Sequence, residues 1–92
     1  MQLVRFFNLF IFNMTEQLIQ KKVIDKYTKD GWYVIKLIRT NKNGIPDLLC
    51  LKSNELPLFI EVKTSKGIVS EIQKYRIKEL NNFGFNAIIH KE

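Results

Sequence analysis

The chain has 92 residues, with 15 lysines and arginines against 9 aspartates and glutamates, for a net charge of +6. This length holds one domain, and the basic balance points to a polyanionic partner, either nucleic acid or an anionic membrane. One cysteine, Cys50, and one histidine, His90, exclude an intrachain disulfide, a cysteine-based zinc site and a multi-histidine metal centre, and point to a reducing, intracellular setting.

Residues 1–13 form an apolar extension with a single charge, Arg5. It is too short to span a bilayer as a helix, and no small-residue cleavage site follows it. An upstream start before Met14, a cloning remnant, an element covering an apolar surface and an element pairing two chains are all compatible with it. The single domain occupies residues 14–92.

From Met14 to Asp30 the apolar residues Leu18, Ile19, Val23, Ile24 and Tyr27 recur at helical spacing. Either Asn13, with Glu16 as its capping-box partner, or Thr15 caps this helix, and Gly31 suits its left-handed end. Residues 32–39 are β-branched and aromatic and read as a strand. Asn43-Gly44 marks a turn. Pro46 to Leu51 reads as a second strand, with proline tolerated at its start, and Leu58 to Thr64 as a third. Ser70 caps a second helix, with Gln73 as capping-box partner. That helix carries Ile72, Tyr75, Ile77 and Leu80 and ends near 82–84, and residues 85–90 form a last strand. Short turns allow the first three strands to pair as a meander. A helical crossover allows the fourth to join in parallel. The expectation is an α/β domain of order α-β-β-β-α-β, with a mixed sheet flanked by helices.

The chemistry concentrates between Gly44 and Lys63. Side chains alternate across a strand, so Leu58, Ile60 and Val62 face one way while Phe59, Glu61 and Lys63 face the other. Antiparallel pairing brings Asp47, at the start of one strand, to the edge where Glu61 ends the next. Two converging carboxylates, with the Val62 carbonyl, supply oxygen ligands for Mg²⁺ or Mn²⁺. Such an ion polarises a phosphoryl oxygen and acidifies bound water. Lys63 beside it neutralises charge in the transition state or orients the water. A lone Glu-x-Lys is usually a solvated ion pair on an edge strand. Here an upstream Pro-Asp and flanking aliphatic residues argue for a buried strand, where unpaired charge is costly.

Pro46-Asp47 followed by Glu61-Val62-Lys63 resembles the PD-(D/E)XK nuclease superfamily. Gly44-Ile45-Pro46-Asp47, Lys63-Thr64, Lys66-Gly67, Ser70 and Gln73 narrow the resemblance to the VRR-NUC type (virus-type replication-repair nuclease), over Thr15 to His90. The resemblance implies a restriction-endonuclease-like core with Asp47, Glu61 and the Val62 carbonyl as metal ligands and Lys63 as the catalytic lysine. It places Gln73 facing the site, although its capping role competes for the same side chain. Glu16 matches an acidic residue that reaches the metal through water, against the plainer role of compensating the helix dipole. The resemblance also implies a homodimer acting on branched or flapped DNA, such as a Holliday junction, and replication, repair or recombination partners. A viral (phage) or mobile-element origin is implied as well.

Lys36, Arg39, Lys42, Lys66, Lys74, Arg76 and Lys78 are candidates for sequence-independent phosphate contacts, each weighed against an ordinary solvated charge. Trp32 and Tyr75 are expected in packing roles rather than base stacking, Cys50 in the core, and His90 without a ligand role. Two other readings compete with a DNA-cutting enzyme. One is a nucleic-acid-binding module of the same fold that does not cleave. The other is a membrane-associated interaction protein using residues 1–13.

Overall fold

The computed structural model describes residues 15–92, so the expectations placed on residues 1–13, Asn13 included, lie outside the described residues. The elements run α1 (Glu16–Lys29), β1 (Tyr33–Lys36), β2 (Leu48–Leu51), β3 (Leu58–Lys63), α2 (Glu71–Asn82) and β4 (Asn86–Lys91). This is the expected order. The strands form one sheet in the order β1-β2-β3-β4. The first two pairings are antiparallel and β3 pairs β4 in parallel.

Helix α1 begins at Thr15, whose hydroxyl accepts from the Leu18 N–H at 3.2 Å. Thr15, the expected cap that falls among the described residues, is therefore in use. Gly31 follows the helix at φ +92°, where a side chain would be strained. The helix lays Ile19 and Val23 on Leu48, Cys50, Ile60 and Val62 to make the core. Burial pushes the Cys50 thiol up to about 11, so it stays a protonated packing group. Helix α2 lies on the other face and opens with the expected capping box. Ser70 Oγ accepts from the Gln73 N–H, and the Gln73 side chain accepts from the Ser70 N–H.

Three strands are shorter than their sequence pattern predicts, β3 by the single residue Thr64. The β1–β2 ladder runs from Tyr33↔Leu51 to Lys36↔Leu48. After a last bond from the Leu37 N–H to the Asp47 carbonyl at 2.8 Å, the chain leaves the sheet for α2 instead of continuing to Arg39. There the Asn43 carbonyl accepts from Arg76 Nε at 2.8 Å. Gly44, at φ +79°, sits so close to α2 that a Cβ would lie 2.9 Å from the Ile72 backbone. β2 begins at Leu48 rather than Pro46, because proline has no N–H for the ladder. Tyr75, expected in a packing role, is exposed, and no residue of α2 is fully buried. The helix covers a face whose floor is partly polar, and its outer side meets solvent.

On β4, the Asn86 N–H bonds the Pro57 carbonyl and the Glu92 N–H bonds the Lys63 carbonyl. Alternate residues therefore turn their backbone groups outward. At Ala87 the Asn81 amide takes both, donating to the carbonyl at 3.1 Å and accepting from the N–H at 3.0 Å. Among the described residues, no helix is long and apolar enough to cross a membrane.

Candidate active site

The site grows out of the point where the β2–β3 ladder stops. The register pairs Leu48 with Ile60, so Asp47 falls opposite Glu61 and Pro46 opposite Val62. In a regular ladder the Val62 N–H and carbonyl would both engage residue 46. Pro46 cannot donate, and the Val62 N–H is taken instead by Asp47 Oδ2 at 2.9 Å. The Val62 carbonyl is thus left without a ladder donor, beside a carboxylate fixed in place by the neighbouring amide. The Pro-Asp dipeptide ends the pairing and supplies the ligand-type oxygen that replaces it.

Glu61 is only 2% exposed, although it carries a carboxyl. Burial, the neighbouring Asp47 carboxylate and, more weakly, Glu16 push its pKa up to about 8 against the opposing pull of Lys63. Its Oε2 accepts from Gln73 Nε2 at 3.2 Å. Its Oε1 is buried with no hydrogen-bond partner. A buried, unpartnered acceptor next to a second carboxylate is costly in a free protein and suits a hard cation.

Gln73 resolves an expected competition. Its Oε1 accepts the Ser70 N–H at 2.9 Å while its Nε2 donates to Glu61. Because the backbone N–H must meet the oxygen, the amide nitrogen is turned toward the site. The helix cap orients the side chain for the strand.

Lys63 is largely buried, its side chain 14% exposed, with Nζ 3.8 Å from Glu61 Oε2 and 3.7 Å from Glu16 Oε1. β3 ends here and α1 begins here, so the ammonium is braced between a strand carboxylate and a helix carboxylate. Among the described residues, no group of three or more His, Cys, Asp or Glu side chains converges as a metal cluster. The oxygen set is Asp47, Glu61 and the Val62 carbonyl, and Glu16 touches it through Lys63.

The basic candidates divide by what they touch. Lys36, Arg39, Lys42, Lys66 and Lys78 are exposed. Lys74 pairs with Glu71 at 3.3 Å. Arg76 is held by Asn43, by Glu79 at 3.1 Å and over the Tyr75 ring. Trp32 is half-buried against Tyr27 and beneath the Lys52 ammonium. His90 contacts Glu92, away from the carboxylate pair. The sequence reading missed the interplay of Pro46 with the Val62 carbonyl. Its signal was present, since a proline at a hydrogen-bonded position of an antiparallel pair removes one ladder bond.

The sequence profile of the VRR-NUC domain family matches residues 7–91, nearly the whole chain. The chain is a VRR-NUC domain. A solved VRR-NUC domain structure superposes on it with a TM-score of 0.71 at 25% identity, covering 80% of this chain and 81% of the other. A search of curated proteins gives no match. The family carries a nuclease-type fold, and in this VRR-NUC domain the half-buried Asp47 and the buried Glu61 lie together at one end of the sheet.

Proposed function

We propose that this VRR-NUC domain is a divalent-metal-dependent DNA endonuclease, selective for branched structures such as Holliday junctions or flaps. The observation that carries the reading is the buried, unpartnered Glu61 Oε1 beside Asp47 and Lys63. Asp47, Glu61 and the Val62 carbonyl would hold Mg²⁺ or Mn²⁺, with Glu16 as an outer carboxylate acting through water. When bound, the ion polarises the scissile phosphate and acidifies water.

The chain's own residues do the remaining work. Asp47 is held by the Val62 N–H, which fixes its free oxygen. Gln73 fixes Glu61 from the opposite side. Lys63, braced by Glu16 and Glu61, presents a positive charge where the pentavalent phosphate accumulates negative charge. The exposed lysines and Arg39 would hold the phosphate backbone without reading sequence. A small domain has little surface for sequence readout, which favours selection by DNA shape. Pairing of two chains into a homodimer would place two such sites on one junction. An intracellular role in replication, repair or recombination, alongside partner proteins, is consistent with these features.

The test is cleavage of flap, Holliday-junction, single-stranded and linear duplex DNA with Mg²⁺ or Mn²⁺. Wild-type protein is expected to cut branched DNA in preference to linear. Lys63→Ala is expected to lose about 10²–10³-fold in cutting while keeping its binding, and Asp47→Ala to lose cutting as well. The reading fails if no substrate is cut with either metal, or if both variants cut at the wild-type rate.

A further inference from the structure

The two most exposed large apolar side chains among the described residues are Ile38, at 86%, and Ile68, at 85%. A single exposed isoleucine on a surface is unremarkable. The placement of these two is less ordinary. Ile38 lies two residues past the end of β1, Asp47 immediately precedes β2 and β3 ends at Lys63, so the strand directions put all three at one end of the sheet. The Ile38 loop is tied to the carboxylates by the Leu37–Asp47 backbone bond. The Ile68 loop is tied to them through Ser70, Gln73 and Glu61. In both loops the preceding residue, Leu37 or Gly67, is half-buried while the isoleucine stands out.

Both loops also carry exposed cations. Ile38 lines a polar hollow with Arg39, Thr40 and Lys42, and Lys66 lies two residues before Ile68 on its loop. Each loop thus combines charges that would hold phosphates with an apolar side chain that cannot. Isoleucine is branched at Cβ and stiff at χ1, so inserting it costs little side-chain entropy compared with a lysine or methionine. Apolar residues of this kind serve nucleic-acid-binding proteins as wedges that part stacked bases.

We propose that Ile38 and Ile68 are wedges that enter between bases beside the Asp47 and Glu61 carboxylates, restricting productive docking to DNA whose stacking is already weakened at a branch point. This rests on the nuclease reading above and supplies a physical basis for its structural selectivity. An intact duplex resists the wedges because each unstacked step costs several kcal/mol. A junction has lost that stacking beforehand. The surrounding cations anchor the flanking phosphates while the isoleucines enter between bases.

The experiment measures binding rather than cutting, in calcium buffer, on a four-way junction with 2-aminopurine at the branch point. Bound wild-type protein is expected to raise the 2-aminopurine fluorescence, which reports unstacking. The exposed double substitution Ile38→Ser/Ile68→Ser is expected to abolish the rise and weaken binding by about tenfold or more. Tyr33→Ser, at the opposite end of β1, is expected to behave as wild type. A rise that persists in the double variant overturns the proposal, as does the absence of a rise when wild-type protein is bound. Isoleucine-dependent co-sedimentation with phosphatidylserine vesicles would overturn it too, by showing that the loops enter lipid. A protein that gives the rise but cuts nothing would sink the nuclease reading alone, and one that cuts without the rise would sink the wedges alone.

Discussion

Val62 and Glu61 are neighbours on β3 and equally hidden from solvent, at 0% and 2% exposure, yet they occupy opposite kinds of interior. Val62 faces α1 and packs in the apolar cluster with Ile60, Leu48 and Cys50. Glu61 faces the other way, toward Gln73, the Asp47 carboxylate and Lys63. The first face is buried to gain stability. The second is buried at a cost, because a carboxylate with an orphaned oxygen has lost its water without full replacement. Concealment alone therefore does not mark a core, and the two faces should respond in opposite ways to substitution.

The largest effect is expected on the apolar face. Ile60→Ala should destabilise the domain by about 2–5 kcal/mol, a large fraction of what a domain of this size commands, as read by chemical denaturation. A loss below about 1 kcal/mol would mean that the α1 face is less tightly packed than its burial indicates.

On the polar face the sign reverses. Glu61→Gln keeps the side chain's size and its acceptor for Gln73 while removing the charge, so the metal-free protein should gain stability. The pH dependence follows from the raised pKa. Metal-free wild type holds its Glu61 proton more tightly when folded. That contribution is complete below the ordinary carboxylate value of 4.5 and is lost as pH rises through about 8. Melting temperature should accordingly fall across this window in wild type, with a smaller fall in Glu61→Gln. Mg²⁺ at a hundredfold excess over its dissociation constant should restore about 2.7 kcal/mol to wild type and much less to the variant. If metal stabilises both proteins equally, Glu61 is not a ligand.

A third substitution tests how α2 is joined to the site. Gly44→Ala forces a side chain into φ +79° and within 2.9 Å of the Ile72 backbone. The backbone strain alone should cost about 1–3 kcal/mol. The helix that must yield is the one that carries Gln73. Cleavage should therefore fall more than stability, and wild-type cleavage in a destabilised but folded Gly44→Ala protein would disconnect α2 from the site.

The fold was largely legible because its signals were local. Helical spacing, Ser70 with Gln73, Gly31 and the alternation around Glu61 each act within a few residues, and the carboxylate face followed from alternation alone. The end of β1 was not legible, since it depends on where the 37–46 loop is drawn by α2, a contact between residues far apart in sequence, whereas the late start of β2 follows from Pro46 itself. Helical period placed Tyr75 in a packing role, but period reveals which residues share a face and not whether anything covers it. Gln73 looked like a choice between cap and site because one letter does not show that an amide has two ends.

Asn81 gives the sheet a finished border. By occupying both outward backbone groups of Ala87 it takes the place that an incoming strand from another chain would use, and Lys91 puts a charge at the far end of the same margin. The open parallel strand is thereby a poor template for end-to-end growth. Losing that one amide would leave the Ala87 backbone groups open to an incoming strand, a failure arising at a position remote from the carboxylates.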